Sequence, residues 1–239
     1  MNDPLALSPL FTPTAQRPLL GMAVLVVEDS RFASDALRMM CVRSGARIRR
    51  ADSLAAAHRH LKTYRPSVAI VDLGLPDGSG TDLIEELART SPRIEVLLAT
   101  SGDDFSEEIA MAAGADGFLA KPLPGLAQFQ AEIISRLPKD RQPKGPRPLP
   151  DDVIDVDPVA LRDDLLHASD TLSTHPDDVA VLDYVAQFLS SVAHSARDQT
   201  LLGAVKSVSR ARHSGPKLKH DVAQLTSLLN ARLEATTVI

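Results

Sequence analysis

Five residues of chemically active type fall where short apolar runs end. Glu28 and Asp29 follow residues 22–27, Asp72 follows 68–71, Thr100 comes just after 94–98, and Lys121 follows 117–120. In an open parallel α/β sheet such positions share one edge. Three carboxylates brought within a few ångströms repel each other and raise one another's pKa unless a cation neutralises them. Oxygen ligands that are few and open to water favour Mg²⁺, with Mn²⁺ as a substitute, over a zinc cage. With two acids on the metal, the third can attack phosphorus and form an acyl phosphate. Metal and ammonium would offset the charge of the transferred group, and the hydroxyl could donate to one of its oxygens. Singly, each residue also has an ordinary structural use, as a helix N-cap, a turn residue or a strand exit. Their recurrence at successive strand ends is what favours chemistry.

The elements that must position them alternate. Strand-like runs at 22–27, 47–51, 68–71, 94–98 and 117–120 are separated by helical periods. Phe32, Ala36, Leu37 and Met40 share one helix face, and that helix ends near Gly45; Leu54, Ala57 and Leu61 share another, opened by Asp52 or Ser53. Leu83, Ile84 and Leu87 mark a third helix, Ile109, Ala110 and Ala113 a fourth, and Leu126, Phe129, Ile133 and Leu137 a fifth. Five βα units in this length imply a five-stranded, doubly wound parallel sheet, the α/β class, with helices on both faces.

These residues resemble the receiver domain of bacterial two-component response regulators. The likeness is carried by Val24-Leu-Val-Val-Glu-Asp-Ser30, by Val68-Ala-Ile-Val-Asp-Leu-Gly-Leu-Pro-Asp-Gly-Ser-Gly80, by Leu97-Leu-Ala-Thr-Ser101 and by Gly114-Ala-Asp-Gly-Phe-Leu-Ala-Lys-Pro122. The resemblance implies a flavodoxin-like fold with Asp72 as phosphoacceptor. It implies Glu28, Asp29, Asp72 and the Gly74 backbone carbonyl as metal ligands, Thr100 as switch hydroxyl, Phe118 as the aromatic behind it, and Lys121 as the ammonium paired with the phosphoryl group. It also implies a signalling role and not an enzyme, with a histidine kinase or phosphotransfer protein as donor and a readout face on the fourth helix, fifth strand and fifth helix. Many receivers carry long polar side chains two residues after the phosphoacceptor and two after the switch threonine. Here those positions are Gly74 and Gly102, and neither can orient an attacking water. A slowly hydrolysed phosphoryl group is the expectation.

The chain of 239 residues has room for two ordinary domains, and 44% apolar residues suffice for real cores. Prolines divide it into an N-terminal arm (1–18), the receiver-like region (19–137), a proline-rich basic linker (138–150) and a second region (151–239). A net charge of -5 argues against a surface built wholly for nucleic acid. The single cysteine, Cys41, leaves no internal disulfide or CxxC pair and reads as a packed thiol. No apolar run is long enough to span a bilayer, so a cytoplasmic location without membrane contact is expected. Arg43, Arg47, Arg49 and Arg50 read as a solvated basic face.

Four apolar stripes after residue 150 predict an all-α helical bundle: one from Val159 to Leu172, one from Val179 to Val192, one from Leu201 to Val208 and one from Leu218 to Leu233. Ten acids and one base occupy 151–196, while seven bases and three acids follow from 197. Such halves attract, within one chain or across a homodimer. A downstream protein partner is the expected output, and DNA binding through the basic half is the alternative. A second alternative is a degenerate phosphotransfer domain, because residues 193–204 resemble one, with His194 as its histidine. Asp198 stands where that family has a glycine.

Overall fold

The computed structural model describes residues 12–103, 105–145, 157–175, 178–211 and 215–235. Five parallel strands, β1 (Ala23–Val27), β2 (Arg47–Ala51), β3 (Val68–Asp72), β6 (Val96–Ser101) and β7 (Gly117–Ala120), form one sheet in the order β2-β1-β3-β6-β7. A two-residue-per-strand hairpin, β4 (Gly74–Leu75) and β5 (Gly78–Ser79), interrupts the path from β3 to the next helix. The helices of this region are α1 (Arg31–Arg43), α2 (Leu54–Leu61), α3 (Gly80–Ala88), α4 (Ser106–Ala113) and α5 (Leu126–Ile134).

Alternation along each strand divides the core in two. Val24, Val26, Val68, Ile70, Val96 and Leu98 face α1 and α5, where Leu37, Cys41, Phe129 and Ile133 pack. Leu25, Val27, Ala69, Val71, Leu97 and Ala99 face the other way, onto Ala57, Leu83, Ile84 and Ala110. Cys41 is fully buried, and its thiol is pushed up to about 12 by that burial, so it is a packing group. Side chains cap the helices as their types predict: Ser30 Oγ accepts from Ala33 N, and Ser53 Oγ accepts from Ala56 N.

Residues 1–11 of the expected arm lie outside the described residues. Its remainder makes a turn, with Arg17 N donating to Thr14 Oγ1, before Leu19 and Met22 enter the core. Of the proline-rich stretch, residues 146–150 lie outside the described residues. Its first residues form a short 3-10 turn (Lys139–Arg141) held against the sheet region by an Arg141–Glu95 ion pair at 3.1 Å.

Four helices follow: α6 (Pro158–Thr174), α7 (Val179–Ser195), α8 (Gln199–Ala211) and α9 (Gly215–Ala235). They share a core of Leu165, Leu172, Leu182, Leu189, Val205 and Leu229, among others. The leucine seam of α9 packs inside this bundle. Val159 and Val179, counted in the stripes by sequence, are exposed first-turn residues. Asp198 ties the start of α8 to α9, since Oδ1 accepts from Leu201 N at 3.0 Å and Oδ2 accepts from Arg232 Nε at 3.0 Å. Partial burial would raise its pKa, but these bonds and the guanidinium outweigh it and hold the carboxyl below its usual value. Asp198→Ala is expected to remove about 1 kcal/mol, the value of a lost helix N-cap, as read from the midpoint of urea unfolding.

Candidate functional site

Register brings the predicted residues together. Val27 pairs with Val71, so Glu28 and Asp72 stand level on neighbouring strands. Asp72 pairs with Thr100, and Ser101 pairs with Ala120, which places Lys121 one residue further along the same edge. β1 and β3 lie on either side of the point where the chain reverses its direction of winding, and a crevice opens at their carboxyl ends. Gly80 lets the β4–β5 hairpin fold back over this edge, since a methyl group there would overlap the Asp72 carbonyl.

Glu28, Asp29 and Asp72 each present a carboxylate oxygen within 4.8 Å of the others. Lys121 Nζ is buried beside them, 2.7 Å from Glu28 Oε2 and 3.1 Å from Asp72 Oδ2. Burial, then the Asp72 charge, pushes Glu28 well above the usual carboxylate range. The same causes, opposed by Lys121, push Asp29 up to about 7. Burial alone would lower Lys121, but Asp72 and Glu28 outweigh it and raise its pKa, keeping the ammonium charged. Glu28 is held through Oε2 by the Lys121 ammonium at 2.7 Å and through Oε1 by Ser30 N at 3.3 Å. This all-oxygen set of three converging carboxylates fits a hard divalent cation. Thr100 is fully buried, and its Oγ1 donates to Leu119 O at 2.7 Å. Phe118 is half-buried against the α2–α4 side of the core, and Gly74 lines the same narrow cleft as Asp72. The Lys121–Pro122 bond is cis.

The helical region completes the site, and sequence reasoning missed this. α7 lies across the carboxyl edge. Tyr184 OH donates to Asp29 Oδ2 at 3.0 Å, and Lys121 Nζ donates to Ser191 Oγ at 2.5 Å. A methyl group on Gly74 would sit 2.7 Å from the Gln187 carboxamide, and one on Gly102 would sit 3.0 Å from the His194 ring. Tyr184, Gln187, Ser191 and His194 are spaced three, four and three residues apart, which is one face of a helix. Tyr184 is steadied by ring contacts with His167 and Phe188, and its hydroxyl pKa is raised by burial and by the Asp29 charge. α6 adds Asp164, which is 2% exposed and accepts from Ser30 Oγ at 2.7 Å, Arg31 N at 2.8 Å and Phe32 N at 3.1 Å. It therefore caps α1 from the other region.

The readout face expected on α4, β7 and α5 is not where α6 and α7 dock. They pack on α1 and the β4 loop, because their polar face complements the carboxyl edge. His194 is brought beside Gly102, but the cleft at Asp72 is lined from α7 by Gln187 and Ser191 instead. Among the described residues no helix is long and apolar enough to cross a membrane.

The response regulator receiver domain family matches residues 24–133. The KDP operon transcriptional regulatory protein KdpE of Escherichia coli K12 is 32% identical over 126 residues, which is 53% of this chain and 56% of that protein. The virulence transcriptional regulatory protein PhoP of Salmonella typhimurium is 33% identical over 102 residues, 42% of this chain and 46% of that one. The chain thus spans about half the length of the curated relatives it matches. Among solved structures, the receiver domain of a sensor histidine kinase from Pseudomonas aeruginosa, with magnesium in its active-site cleft, is 22% identical with a TM-score of 0.44; the match covers 48% of this chain and 97% of that one. With strand order, register and the acid–lysine cluster all in place, residues 24–133 of this chain are a response regulator receiver domain.

Proposed function

We propose that the chain is a phosphorelay response regulator that takes up a phosphoryl group on Asp72 from a histidine kinase or phosphotransfer protein. The observation that carries this reading is the meeting of Glu28, Asp29 and Asp72 around one point, with Lys121 buried beside them. Glu28, Asp29, Asp72 and the Gly74 carbonyl would hold Mg²⁺, which when bound offsets charge on the phosphoryl oxygens. Lys121 supplies a fixed positive charge at the same place without needing to reorient. Thr100, one register pair from Asp72, would turn its hydroxyl from Leu119 O to the phosphoryl group, with Phe118 following.

Signal output follows from who already touches these groups. Asp29 is engaged by Tyr184, and Lys121 by Ser191. A cation on Asp29 and a phosphoryl group on Lys121 each change what α7 meets. The two states then differ in their interaction with the helical region, which is the requirement for a shift in its contacts with itself or a downstream protein.

Beryllofluoride with Mg²⁺, a stand-in for the phosphoryl group, tests this. Together they are expected to raise the melting temperature and to change hydrogen exchange along α7. A melting curve and an α7 exchange pattern both unmoved by the pair would contradict the reading.

A further inference from the structure

The receiver domain carries glycine at both places where a long polar side chain could hold water against the phosphoryl group, Gly74 and Gly102. The space beside Gly74 is filled from the other region by the Gln187 carboxamide, with its Cδ and Nε2 both 2.7 Å from where a methyl group on Gly74 would lie. Asp72, Gly74, Gln187 and Ser191 line one cleft. Among the described residues the Gln187 carboxamide makes no hydrogen bond, although α7 is fixed on either side of it by Tyr184 and Ser191. Its side chain is solvent-exposed, so water reaches it at the mouth of the cleft.

We infer that α7 is a built-in dephosphorylating element, in which Gln187 positions the water that hydrolyses the phosphoryl group on Asp72. This rests on the reading of Asp72 as phosphoacceptor. The carboxamide oxygen accepts a hydrogen bond from the water, and its NH₂ donates to a phosphoryl oxygen. The water oxygen forms a new bond to phosphorus as the bond from phosphorus to the Asp72 oxygen breaks. Asp72 leaves as a carboxylate with the bonding pair, and a water proton passes to solvent as inorganic phosphate departs. Before phosphorylation Tyr184 on Asp29 and Ser191 on Lys121 seat this face of α7, with Gln187 between them, over the cleft. The face of α7 that senses the phosphoryl group therefore also limits its lifetime, and the two glycines are the room it needs.

The test uses the full chain. Wild type, Gln187→Met and Gln187→Ala are labelled with radioactive acetyl phosphate and Mg²⁺, the donor is removed, and release of inorganic phosphate is followed. Methionine keeps the length and helix propensity of glutamine without its amide. Both variants are expected to lengthen the half-life by about tenfold or more, the scale on which fixed hydrogen-bonding groups act at a reacting centre. An unchanged half-life would overturn the inference. So would a shortened one, which would show α7 to be a shield against water. A wild type that takes no label would instead remove the reading of Asp72, and this inference with it.

Discussion

Asp72→Asn is expected to abolish labelling by acetyl phosphate while leaving the receiver fold in place. The amide has nearly the same shape, so the β3 edge and the Asp72–Thr100 register need not move. It lacks the anionic oxygen that must bond to phosphorus. It also removes a charge from a crowded site. Asp72 is the second largest cause of the raised pKa values of Glu28 and Asp29, after burial. Removing a like charge from that cluster relieves repulsion, while Lys121 keeps Glu28 at 2.7 Å. The expected pattern is a variant at least as stable as wild type in thermal unfolding, without covalent phosphate. Label retained at wild-type level would mean that another residue is the acceptor.

The second large effect is expected from Asp164→Ala. Its carboxylate accepts three hydrogen bonds from the start of α1, across the contact between the two regions. Burial raises its pKa and the three donors oppose that shift, so the charged form is held by these bonds and by the positive end of α1. Truncation leaves two part-buried backbone N–H groups without that charged acceptor. Ser30 Oγ still accepts from Ala33 N, but its own proton has lost its partner. The cost is about 2–3 kcal/mol, which shifts docking of the helical region by roughly a hundredfold. Hydrogen exchange should therefore quicken at the first turn of α1 and along α7, while the amides of β1 and β3 stay protected. Exchange at wild-type rates in α1 and α7 would show that Asp164 does not hold the regions together. Asp163, paired with Arg31 in an exposed position, is expected to matter much less.

How far each of these residues can be read in the sequence depends on the range of the interaction. Glu28, Asp72 and Lys121 are legible because alternation marks the strands and a parallel sheet brings strand ends to one edge. β6 runs on to Ser101, beyond the apolar run that ends at Leu98, because Ala99 and Thr100 are small and weakly apolar yet pair in register. The β4–β5 hairpin is too short to leave a period. The docking of α7 depends on pairs such as Tyr184 with Asp29, far apart in sequence, and no local pattern names a partner at that range. Its polar stripe of Tyr184, Gln187, Ser191 and His194 is visible, but on a helix such a stripe reads equally as a solvated face. By sequence, Gly74 and Gly102 read as the loss of water-orienting side chains. In the folded chain they are also points of close approach, a use of glycine that becomes apparent only once the neighbour is in place. Asp164, an acid beside Leu165 in a helix, gives no local sign that its partner is the N-terminus of α1.

Chemical mapping of the phosphorylated residue tests the central claim most directly. Wild-type protein is treated with acetyl phosphate and Mg²⁺, reduced with borohydride, which converts an aspartyl phosphate to homoserine, and digested for mass spectrometry. Reduction at Asp72, dependent on the phosphodonor, is the result predicted. Reduction at a different aspartate, or phosphate recovered on His194 with Asp72 unmodified, would contradict it.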